Sequence, residues 1–581
     1  MSKQSLMKFA SMKKILIFGD DTRSFLACVR SFGRCGFKVH VAGFGNNTSA
    51  LYSKYICARH AVPAYFNDGA DWLSAIQSLI EQEQFDAILP CDERALLPLA
   101  LHKNSLPKNL WLGIPNTAAL DVFFDKHKTR VLAQTLGISV AKGTVITCDN
   151  CKLGSLNLTP PVAVKPISSF SLNSLYSRQE VTLIKSPDEL KKLANDQLDG
   201  QFLIEEFFEG NGVGLSVLSQ NGKIVEKFQH RRCHPESNGG SGYRVSETID
   251  TALLEAVTKL CAHLQFSGVA MFEFKVAENR EKWILLEVNA RPWGSLPLAI
   301  AAGVDFPLHW YRVSNGLSIE PKLNYKTPLY GRNFQQDLYY VLAKTRREKR
   351  LLSKATVLLL WLLGFTRLLF GREHLDALTI DDPKPGIQEI QTLIAKKVSQ
   401  ESSHSADEEK LRLAEILKSA IKLSGKQSPL IIEFVCYGNI CRSPFAQAYS
   451  EQRAKNFQAL NVKFRSSGLL PVEERPSPKN AVLAAQLSGV NLSEHRSNFL
   501  SVARSDAADL IIIFDKKIEH IFNSRDTKNS SKLLNLPNMG GLAQIEDPYG
   551  KSVVEFENCY GELQKLCDLL LEEVAKTRKF D

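Results

Sequence analysis

A cysteine and an arginine six positions later mark the C-terminal part of the chain. An apolar stretch at 431–435 is followed by Cys436-Tyr-Gly-Asn-Ile-Cys-Arg442-Ser-Pro, which predicts a buried strand, a tight loop and a helix that begins at Arg442. In this arrangement the backbone N–H groups of the loop and the N-terminus of the helix converge on one point, where an anion binds. The same dipoles favour the thiolate of Cys436, so the sequence predicts a charged nucleophile beside an anion site.

Further residues have types that suit the hydrolysis of a phosphate ester. Gly438 permits the curvature of the loop, and Asn439 and Ser443 are able to hydrogen-bond the loop and the sulfur. The planar guanidinium of Arg442 binds two phosphate oxygens at once, which a lysine cannot do. Asp547 stands in Asp-Pro-Tyr and is a candidate acid for protonating an alkoxide or phenolate leaving group.

The ordered set CxGNxCRSP, followed by Asp-Pro-Tyr at 547–549, resembles the low-molecular-weight protein tyrosine phosphatases, and the resemblance covers residues 429–577. It implies a central parallel sheet flanked by helices, a phosphocysteine intermediate at Cys436, phosphate binding by Arg442, and Asp547 as general acid and then base. It implies no cofactor for this domain. The resemblance also implies a partner, because small bacterial phosphatases of this family are associated with membrane tyrosine kinases of polysaccharide export. The expected substrate is therefore a phosphotyrosine protein, with such a kinase as one candidate.

Residues near the loop separate the sub-classes that this resemblance leaves open. Members that act on phosphoarginine carry Thr where this chain has Ile440, so Ile440 favours phosphotyrosine. Arsenate reductases of this fold need further redox cysteines between the loop and the acid, and 442–558 contains none. By the resemblance, Cys441 is able to form a protective disulfide with Cys436; a small buried thiol is the alternative.

Carboxylates on two neighbouring candidate strands mark a second site. Glu273 lies on one strand, and Glu287 and Asn289 lie two residues apart on the next, which places both on one face. This oxygen-rich set suits Mg²⁺ and the phosphates that Mg²⁺ bridges. Lys165 closes another candidate strand as a compact positive charge, and Arg291 is one alternate position beyond Asn289, where it can reach phosphate oxygens.

The order of these residues along the chain is similar to that of ATP-grasp enzymes, over residues 13–315 when the preceding sheet is counted. The resemblance implies an α+β domain of two lobes behind an α/β domain, with ATP and Mg²⁺ as cofactors. It assigns Mg²⁺ to Glu273, Glu287 and Asn289, and ATP to Lys126, Lys165, Glu205, Glu206, Phe207, Glu209 and Arg291. Such enzymes phosphorylate a carboxylate, here unknown, and let an amine or a similar nucleophile displace the phosphate.

Two functions of this N-terminal region stay open at the level of sequence. Lys165 is followed by Pro-Ile-Ser-Ser-Phe-Ser instead of a Gly-rich loop, so the handling of the γ-phosphate departs from the family pattern. A bifunctional phosphatase and carboxylate–amine ligase is our first prediction, and a phosphatase regulated by a non-catalytic nucleotide-binding ATP-grasp module is the alternative. The stretches 230–234 and 238–242 are candidates to line the binding site of the acceptor substrate. The alternative is that they form an ordinary basic turn.

Composition and element order predict a multidomain α/β architecture. With 44% hydrophobic and 23% charged residues, the 581-residue chain is not wholly disordered, and its length predicts roughly three to four structural units. Short apolar runs that alternate with a helix at 24–35 predict a parallel sheet, without the GxGxxG pattern of dinucleotide binding. The predicted boundaries are an α/β domain at 13–120, ATP-grasp at 121–315, a basic-apolar extension at 316–398, a linker at 399–428 and the phosphatase at 429–577.

The extension concentrates the positive charge of the chain. Residues 344–372 contain eight Lys or Arg and one Glu, while the whole chain carries a net charge of +10. Because the charge borders the leucine-rich run 355–366 instead of covering a face, the pattern favours a membrane surface over nucleic acid. We predict an interfacial helix; a spanning helix, which needs about 20 apolar residues, and a helix buried against the ATP-grasp domain are the alternatives.

The N-terminal residues and the cysteines indicate the compartment. Residues 1–14 have no apolar core before a small-residue cleavage site, so a signal peptide is not expected. The twelve Cys are scattered instead of forming a crowded disulfide framework. We therefore expect a cytoplasmic protein, peripheral at the inner face of a membrane.

Overall fold

A computed structural model describes most of the chain. The described residues are 13–44, 48–63, 65, 69–147, 159–168, 175, 181–186, 189, 201–234, 242–320, 324–348, 351–401, 406–424, 429–455, 457, 460–526, 528–539, 544–551 and 553–580. They form two compact units, Met1–Ile394 and Ala395–Asp581.

The first unit opens with a five-stranded parallel sheet in the order β3-β2-β1-β4-β5. Its strands are β1 Lys14–Phe18, β2 Lys38–Ala42, β3 Ile56–His60, β4 Ala87–Pro90 and β5 Trp111–Leu112, and its helices are α1 Ser24–Arg34, α2 Ala70–Glu83 and α3 Glu93–Leu101. The central strands β1 and β4 are continuous apolar runs because helices cover both faces of the sheet. The predicted alternation of strands with a helix is confirmed.

A second, antiparallel sheet of this unit has the order β6-β9-β7-β8. It follows the helices α4 Thr117–Phe123 and α5 Lys126–Thr135 and consists of β6 Gly143–Thr147, β7 Val162–Pro166, β8 Thr182–Ile184 and β9 Gln201–Glu206. Helix α5 begins at Lys126 because the side chain of Asp125 accepts a hydrogen bond from the backbone N–H of Lys128.

The third sheet has seven strands in the order β14-β13-β10-β11-β12-β15-β16. The strands are β10 Asn211–Gln220, β11 Lys223–Arg232, β12 Tyr243–Glu247, β13 Gly268–Val276, β14 Trp283–Asn289, β15 Tyr330–Arg332 and β16 Glu373–Leu375, with the helices α6 Thr251–His263, α7 Leu296–Ala302 and α8 Phe306–Ser314. Strands β15 and β16 come from the segment predicted as an extension, 316–398. That segment therefore completes the edge of the ATP-grasp sheet.

The predicted α/β and ATP-grasp domains share one hydrophobic core. Ile15 and Phe25 of the first sheet layer pack in the same buried cluster as Phe228, Met271 and Trp293 of the third sheet region. This common core explains why 13–120 does not separate from the residues that follow it.

Three helices, α9 Phe334–Arg347, α10 Leu351–Gly364 and α11 Thr366–Leu369, connect β15 to β16. The window Leu352–Leu369 is long and apolar enough to cross a membrane by length and composition, and none of it is buried. Leu352, Leu360 and Leu369 are 83%, 64% and 84% exposed. The alternative of a helix buried against the ATP-grasp domain is therefore wrong.

Two helices occupy most of the stretch predicted as a linker. They are α12 Lys384–Glu401 and α13 Ala406–Ser424. Leu413 and Leu417 of α13 are fully buried in the core of the second unit, together with Phe434 and Tyr560. Much of 399–428 is thus structural, because an amphipathic pattern within a polar stretch packs on a neighbouring core.

The second unit has the predicted central parallel sheet flanked by helices. Its strands run in the order β18-β17-β19-β20, with all pairs parallel. They are β17 Leu430–Cys436, β18 Val462–Gly468, β19 Leu510–Ile513 and β20 Leu533–Asn535, and the helices are α14 Arg442–Ala454, α15 Lys479–Leu487, α16 Val502–Asp506, α17 Lys516–Arg525, α18 Leu536–Met539 and α19 Val553–Phe580.

Candidate active sites

The sulfur of Cys436 lies in a cradle of hydrogen-bond donors. Cys436 is the last residue of β17, and its Sγ accepts the backbone N–H of Asn439 at 3.3 Å and lies 3.0 Å from Ser443 Oγ. The backbone of Asn439 has φ 52°, a left-handed conformation that asparagine tolerates, and this conformation turns its N–H towards the sulfur. The cradle stabilises negative charge at Sγ, as the spacing predicts.

Asn439 braces the loop through its side chain. Its Nδ2 donates to Ser443 Oγ at 2.9 Å, and its Oδ1 accepts the backbone N–H of Asn498 at 2.8 Å. Asn439 and Ser443 are both fully buried. Two of the three residues predicted to support the loop are therefore joined to each other and to the sulfur, and the carbonyl of the third, Gly438, accepts a hydrogen bond from Arg475.

Two residues from other parts of the second unit, Arg475 and His495, support the loop. Arg475 Nη2 donates to the carbonyl of Gly438 at 2.5 Å, and His495 Nε2 donates to the carbonyl of Asn439 at 2.7 Å. Burial lowers the pKa of His495, which keeps the ring neutral with one N–H for this bond. Both residues reach the loop from distant parts of the chain, 37 and 56 positions from the residues that they contact.

Arg442 joins the loop to two carboxylates. Its Nη1 donates to Asp515 Oδ2 at 2.6 Å and to the carbonyl of Ile545 at 2.8 Å, and its Nη2 donates to Asp547 Oδ2 at 2.6 Å. Burial by itself lowers the pKa of this arginine, but the negative charges of Asp547, Cys436 and Asp515 outweigh it and raise the pKa. The guanidinium is therefore a permanent positive charge beside the thiol.

The acid predicted at 547 lies next to this arginine. The side chain of Asp547 is 42% exposed, and its Oδ1 accepts the backbone N–H of Tyr549, whose ring is exposed. Asp515 was missed by sequence reasoning; it follows β19, and its Oδ1 caps α17 by accepting the N–H of Ile518. The fold thus brings the predicted cysteine, arginine and acid to one site and adds Asp515.

The predicted metal ligands of the first unit face one another across two strands. Glu273 of β13 stands directly opposite Glu287 of β14, and an irregularity of register follows, since Phe274 pairs with Leu285. Asn289 Nδ2 donates to a carboxylate oxygen of each glutamate, at 3.3 Å for Glu273 and 3.4 Å for Glu287. The three side chains converge on one point on the same face of the sheet.

Cations surround this pair of carboxylates. Arg232, which lies in the predicted acceptor stretch 230–234, donates Nη2 to Glu273 Oε2 at 2.7 Å. Burial raises the pKa of Glu273, and Arg232 opposes that rise only in part. Burial also acts to raise the pKa of Glu287, but the charges of Lys126 and Lys165 outweigh it and lower the pKa. Two carboxylates facing two lysines fit a divalent cation bound together with phosphate groups.

Lys165 and Glu205 form a buried ionic cluster with Arg130. Lys165 Nζ donates to Glu205 Oε2 at 2.5 Å, and Arg130 Nη1 donates to Glu205 Oε1 at 2.8 Å. In this structure the carboxylate of Glu205 therefore holds Lys165. Lys126 Nζ donates to the carbonyl of Pro166 at 3.2 Å, so both predicted phosphate-binding lysines lie at the same end of β7.

The remaining predicted ATP-binding residues lie around the end of β9. Glu206 is half-buried, Phe207 and Glu209 are exposed, and the N–H of Phe207 donates to the carbonyl of Pro161 at 3.0 Å. Arg291 is near the carboxylates of Glu273 and Glu287, because its charge acts on the pKa of Glu273 and the charge of Glu287 acts on its own. Its Nε is 2.9 Å from Glu93 Oε2, which raises the pKa of the buried guanidinium against the opposing effect of burial. The predicted stretches 169–171 and 238–241 lie outside the described residues.

Each of the two units contains a range that matches a known family. Residues 431–580 match the family described as low molecular weight phosphotyrosine protein phosphatase. Residues 199–329 match the family described as ATP-grasp in the biosynthetic pathway with Ter operon.

Individual relatives are similar to one or the other part of the chain. The probable low molecular weight protein-tyrosine-phosphatase EpsP of Ralstonia nicotianae is 31% identical over 134 residues, which is 23% of this chain and 88% of the relative. A protein-arginine-phosphatase of Bacillus subtilis is 29% identical over 150 residues, 26% of this chain and 99% of the relative. The crystal structure of an L-amino acid ligase from Bacillus licheniformis aligns with a TM-score of 0.41 at 18% identity, covering 51% of this chain and 72% of the ligase. The chain belongs to the low molecular weight phosphotyrosine protein phosphatase family through its C-terminal unit, and it carries an ATP-grasp domain in the same polypeptide.

Proposed function

We propose that the C-terminal unit hydrolyses phosphotyrosine in proteins through a phosphocysteine at Cys436. The observation that carries this proposal is the contact set of the loop: Sγ is held by donors, and Arg442 links the site to Asp547 at 2.6 Å. A nucleophile, a phosphate-binding fork and an acid are therefore adjacent before any substrate enters.

The reaction proceeds in two displacements. In the first, the thiolate of Cys436 attacks phosphorus, the bond between phosphorus and the phenolic oxygen breaks, and Asp547 donates its proton to that oxygen. In the second, the carboxylate of Asp547 accepts a proton from water, whose oxygen attacks phosphorus, and the sulfur–phosphorus bond breaks to release phosphate and the thiolate. Arg442 and the N–H groups of the loop stabilise the charge on the transferred phosphoryl oxygens in both steps.

Phosphotyrosine is the substrate class that the loop favours. Ile440 is buried, so it presents an aliphatic wall where the phosphoarginine-specific members have a threonine hydroxyl. The exposed ring of Tyr549 beside Asp547 suits contact with the phenyl ring of the substrate. The protein substrate, with a membrane tyrosine kinase of polysaccharide export as one candidate, belongs to the proposal.

Hydrolysis of matched phosphotyrosine and phosphoarginine peptides tests this assignment. We expect faster turnover of the phosphotyrosine peptide, and Cys436→Ser abolishes it because a serine hydroxyl is not ionised at neutral pH. Cys567→Ser, at a buried thiol of α19, is the matched control and retains activity. Activity of Cys436→Ser would contradict the mechanism, whereas preference for phosphoarginine would contradict only the substrate class.

For the ATP-grasp domain we propose an ATP- and Mg²⁺-dependent ligase that joins a carboxylate to an amine. Glu273, Glu287 and Asn289 would hold Mg²⁺, and Lys126 and Lys165 would hold the phosphates. When bound, MgATP supplies the phosphoryl group that activates the substrate carboxylate. The converged oxygens and the two lysines that lower the pKa of Glu287 support this proposal.

A nucleotide-binding module without turnover is the second candidate, because no glycine-rich loop follows Lys165. ATP hydrolysis measured across pairs of carboxylates and amines separates the two. We expect one class of pair to stimulate hydrolysis, and Glu287→Gln to abolish the stimulation. Tight ATP binding by calorimetry with no stimulation by any pair would favour the module.

A further inference from the structure

We name residues 334–369, which include α9, α10 and α11, the leucine hairpin. It presents an apolar face that none of the residues described by the structure covers. Leu352, Leu359 and Leu363 recur along α10 at helical spacing and are each more than half exposed. Leu369 and Phe370 extend the same exposed surface at the end of the hairpin. A helix that is apolar on all sides normally lies in a protein core or in lipid, so this face needs a cover.

The opposite face of the hairpin is firmly attached to its own sheet. Trp361 of α10 donates Nε1–H to Asp337 of α9 at 2.6 Å, and Arg332 at the end of β15 pairs with both Asp337 and Glu373. The guanidinium of Arg332 also lies 4.3 Å from the ring centroid of Phe365. These contacts hold one side of the hairpin against its own sheet, so the opposite, leucine-bearing side faces outward.

The topology opposes a single crossing of a membrane by the leucine hairpin as a whole, because its two ends meet at neighbouring strands. The strands on either side of the hairpin, β15 and β16, pair with each other, with Tyr330 opposite Glu373. Paired strands lie about 5 Å apart, whereas the two ends of a spanning helix lie about 30 Å apart. Since the chain enters and leaves the hairpin at one sheet edge, the exposed face lies along a surface.

The positive charge of the leucine hairpin indicates which kind of surface its exposed face contacts. Lys344, Arg346 and Arg372 are exposed at the two ends of the leucine face, and 344–372 carries eight basic residues against one acidic residue. A second copy of this hairpin would bring the same positive charge to the interface and be repelled. Anionic headgroups attract that charge while the acyl boundary accepts the leucines.

From these observations we propose that the outer face of the leucine hairpin docks on an anionic lipid bilayer and lies in its interface. The inference is independent of the phosphatase and ligase assignments, because none of their residues belongs to this face. It places both units of the chain beside a membrane without a spanning segment.

Co-sedimentation of the full chain with vesicles tests the proposal. With an equimolar mixture of phosphatidylcholine and phosphatidylglycerol we expect binding that weakens as salt shortens the Debye length. Leu359→Gln with Leu363→Gln should weaken binding by roughly 25-fold, since burying the exposed half of each leucine contributes about a factor of five. Lys344→Ala and Arg346→Ala should each weaken it about fivefold.

A matched pair of exposed leucines provides the control. Leu483 and Leu487 on α15 are 48% and 66% exposed, against 57% and 52% for Leu359 and Leu363, and both pairs have the same spacing. Leu483→Gln with Leu487→Gln should leave vesicle binding unchanged. Unchanged hydrolysis of a soluble aryl phosphate by both double variants shows that the phosphatase unit remains folded.

Several results would overturn the proposal. Failure of the wild-type chain to bind anionic vesicles at low salt would do so, as would equal binding to vesicles of phosphatidylcholine alone. If the wild-type chain sediments as an oligomer and the leucine double variant sediments as a monomer, the face contacts a second copy of the chain instead of lipid. Resistance to extraction at high salt and alkaline pH would indicate insertion across the bilayer.

Discussion

Replacing Glu205 by glutamine tests the role of the buried ionic cluster behind the predicted phosphate-binding lysine. The substitution preserves shape and removes one negative charge. Lys165 and Arg130 then lose the carboxylate that pairs with both of them, at 2.5 and 2.8 Å in the wild type. Removing one member of a buried ion pair leaves an uncompensated charge, which costs about 3–5 kcal/mol. All three side chains are about nine-tenths buried, so solvent screening reduces this cost little.

This free energy converts to a measurable shift in melting temperature. The first unit has 394 residues, and an unfolding entropy of about 2.1 cal/mol/K per residue gives about 0.8 kcal/mol/K for the unit. The expected decrease in Tm is therefore about 4–6 °C. Nucleotide affinity should fall as well, because Lys165 loses the carboxylate that orients it.

Tryptophan fluorescence isolates the first unit within the full chain. All six tryptophans lie in Met1–Ile394: Trp72, Trp111, Trp283, Trp293, Trp310 and Trp361. Glu206→Gln, at the half-buried neighbour of Glu205, is the matched control and should change Tm little. Adding Lys165→Met to Glu205→Gln should restore part of the stability but no nucleotide binding. A Glu205→Gln variant as stable as the wild type would refute the cluster's role.

Three further predictions address the phosphatase and the pH dependence of stability. Asp547→Ala should slow hydrolysis of phosphotyrosine by about 100-fold or more and hydrolysis of para-nitrophenyl phosphate far less, because a nitrophenolate leaving group needs little protonation. Equal losses on the two substrates would contradict the role of Asp547 as the acid. Asp515→Asn should retain the cap of α17 but lower kcat/KM about tenfold by loosening Arg442, which steady-state kinetics would detect. Burial, reinforced by Asp376, raises the pKa of Glu389 from 4.5 to about 7, so the first unit loses stability as pH rises through 7. The free energy of unfolding of Glu389→Gln should therefore exceed that of the wild type by about 3 kcal/mol at pH 8 and equal it below pH 4.5. A difference between the two proteins that stays constant across pH would contradict the shifted pKa.

The sequence by itself determined the parts of each site that are contiguous in the chain. The strand, loop and helix at 430–454 place Cys436, Asn439 and Ser443 together because backbone geometry over a few residues allows little else. The period of two along a strand likewise puts Glu287 and Asn289 on one face. These are local consequences of residue type and spacing.

Only the tertiary structure decided which distant side chains complete the sites. Asp515 lies 73 positions from Arg442, and Arg232 lies 41 positions from Glu273. Single Asp and Arg residues occur throughout the chain, so no local pattern distinguishes these from solvated ones. The parallel order of β17 beside β19 brings Asp515 to the carboxyl end of the strand that ends at Cys436.

For the leucine hairpin, too, some properties follow from the sequence and others only from the tertiary structure. Its charge and hydrophobicity were visible in the sequence, and they left an interfacial, a spanning and a buried helix open. The exposure of 352–369 excluded the buried helix, and the pairing of β15 with β16 and the contact of Trp361 with Asp337 show where the chain returns and which side packs inward. Such pairings depend on residues 24 to 43 positions apart, and their free energy appears only when the whole sheet edge assembles.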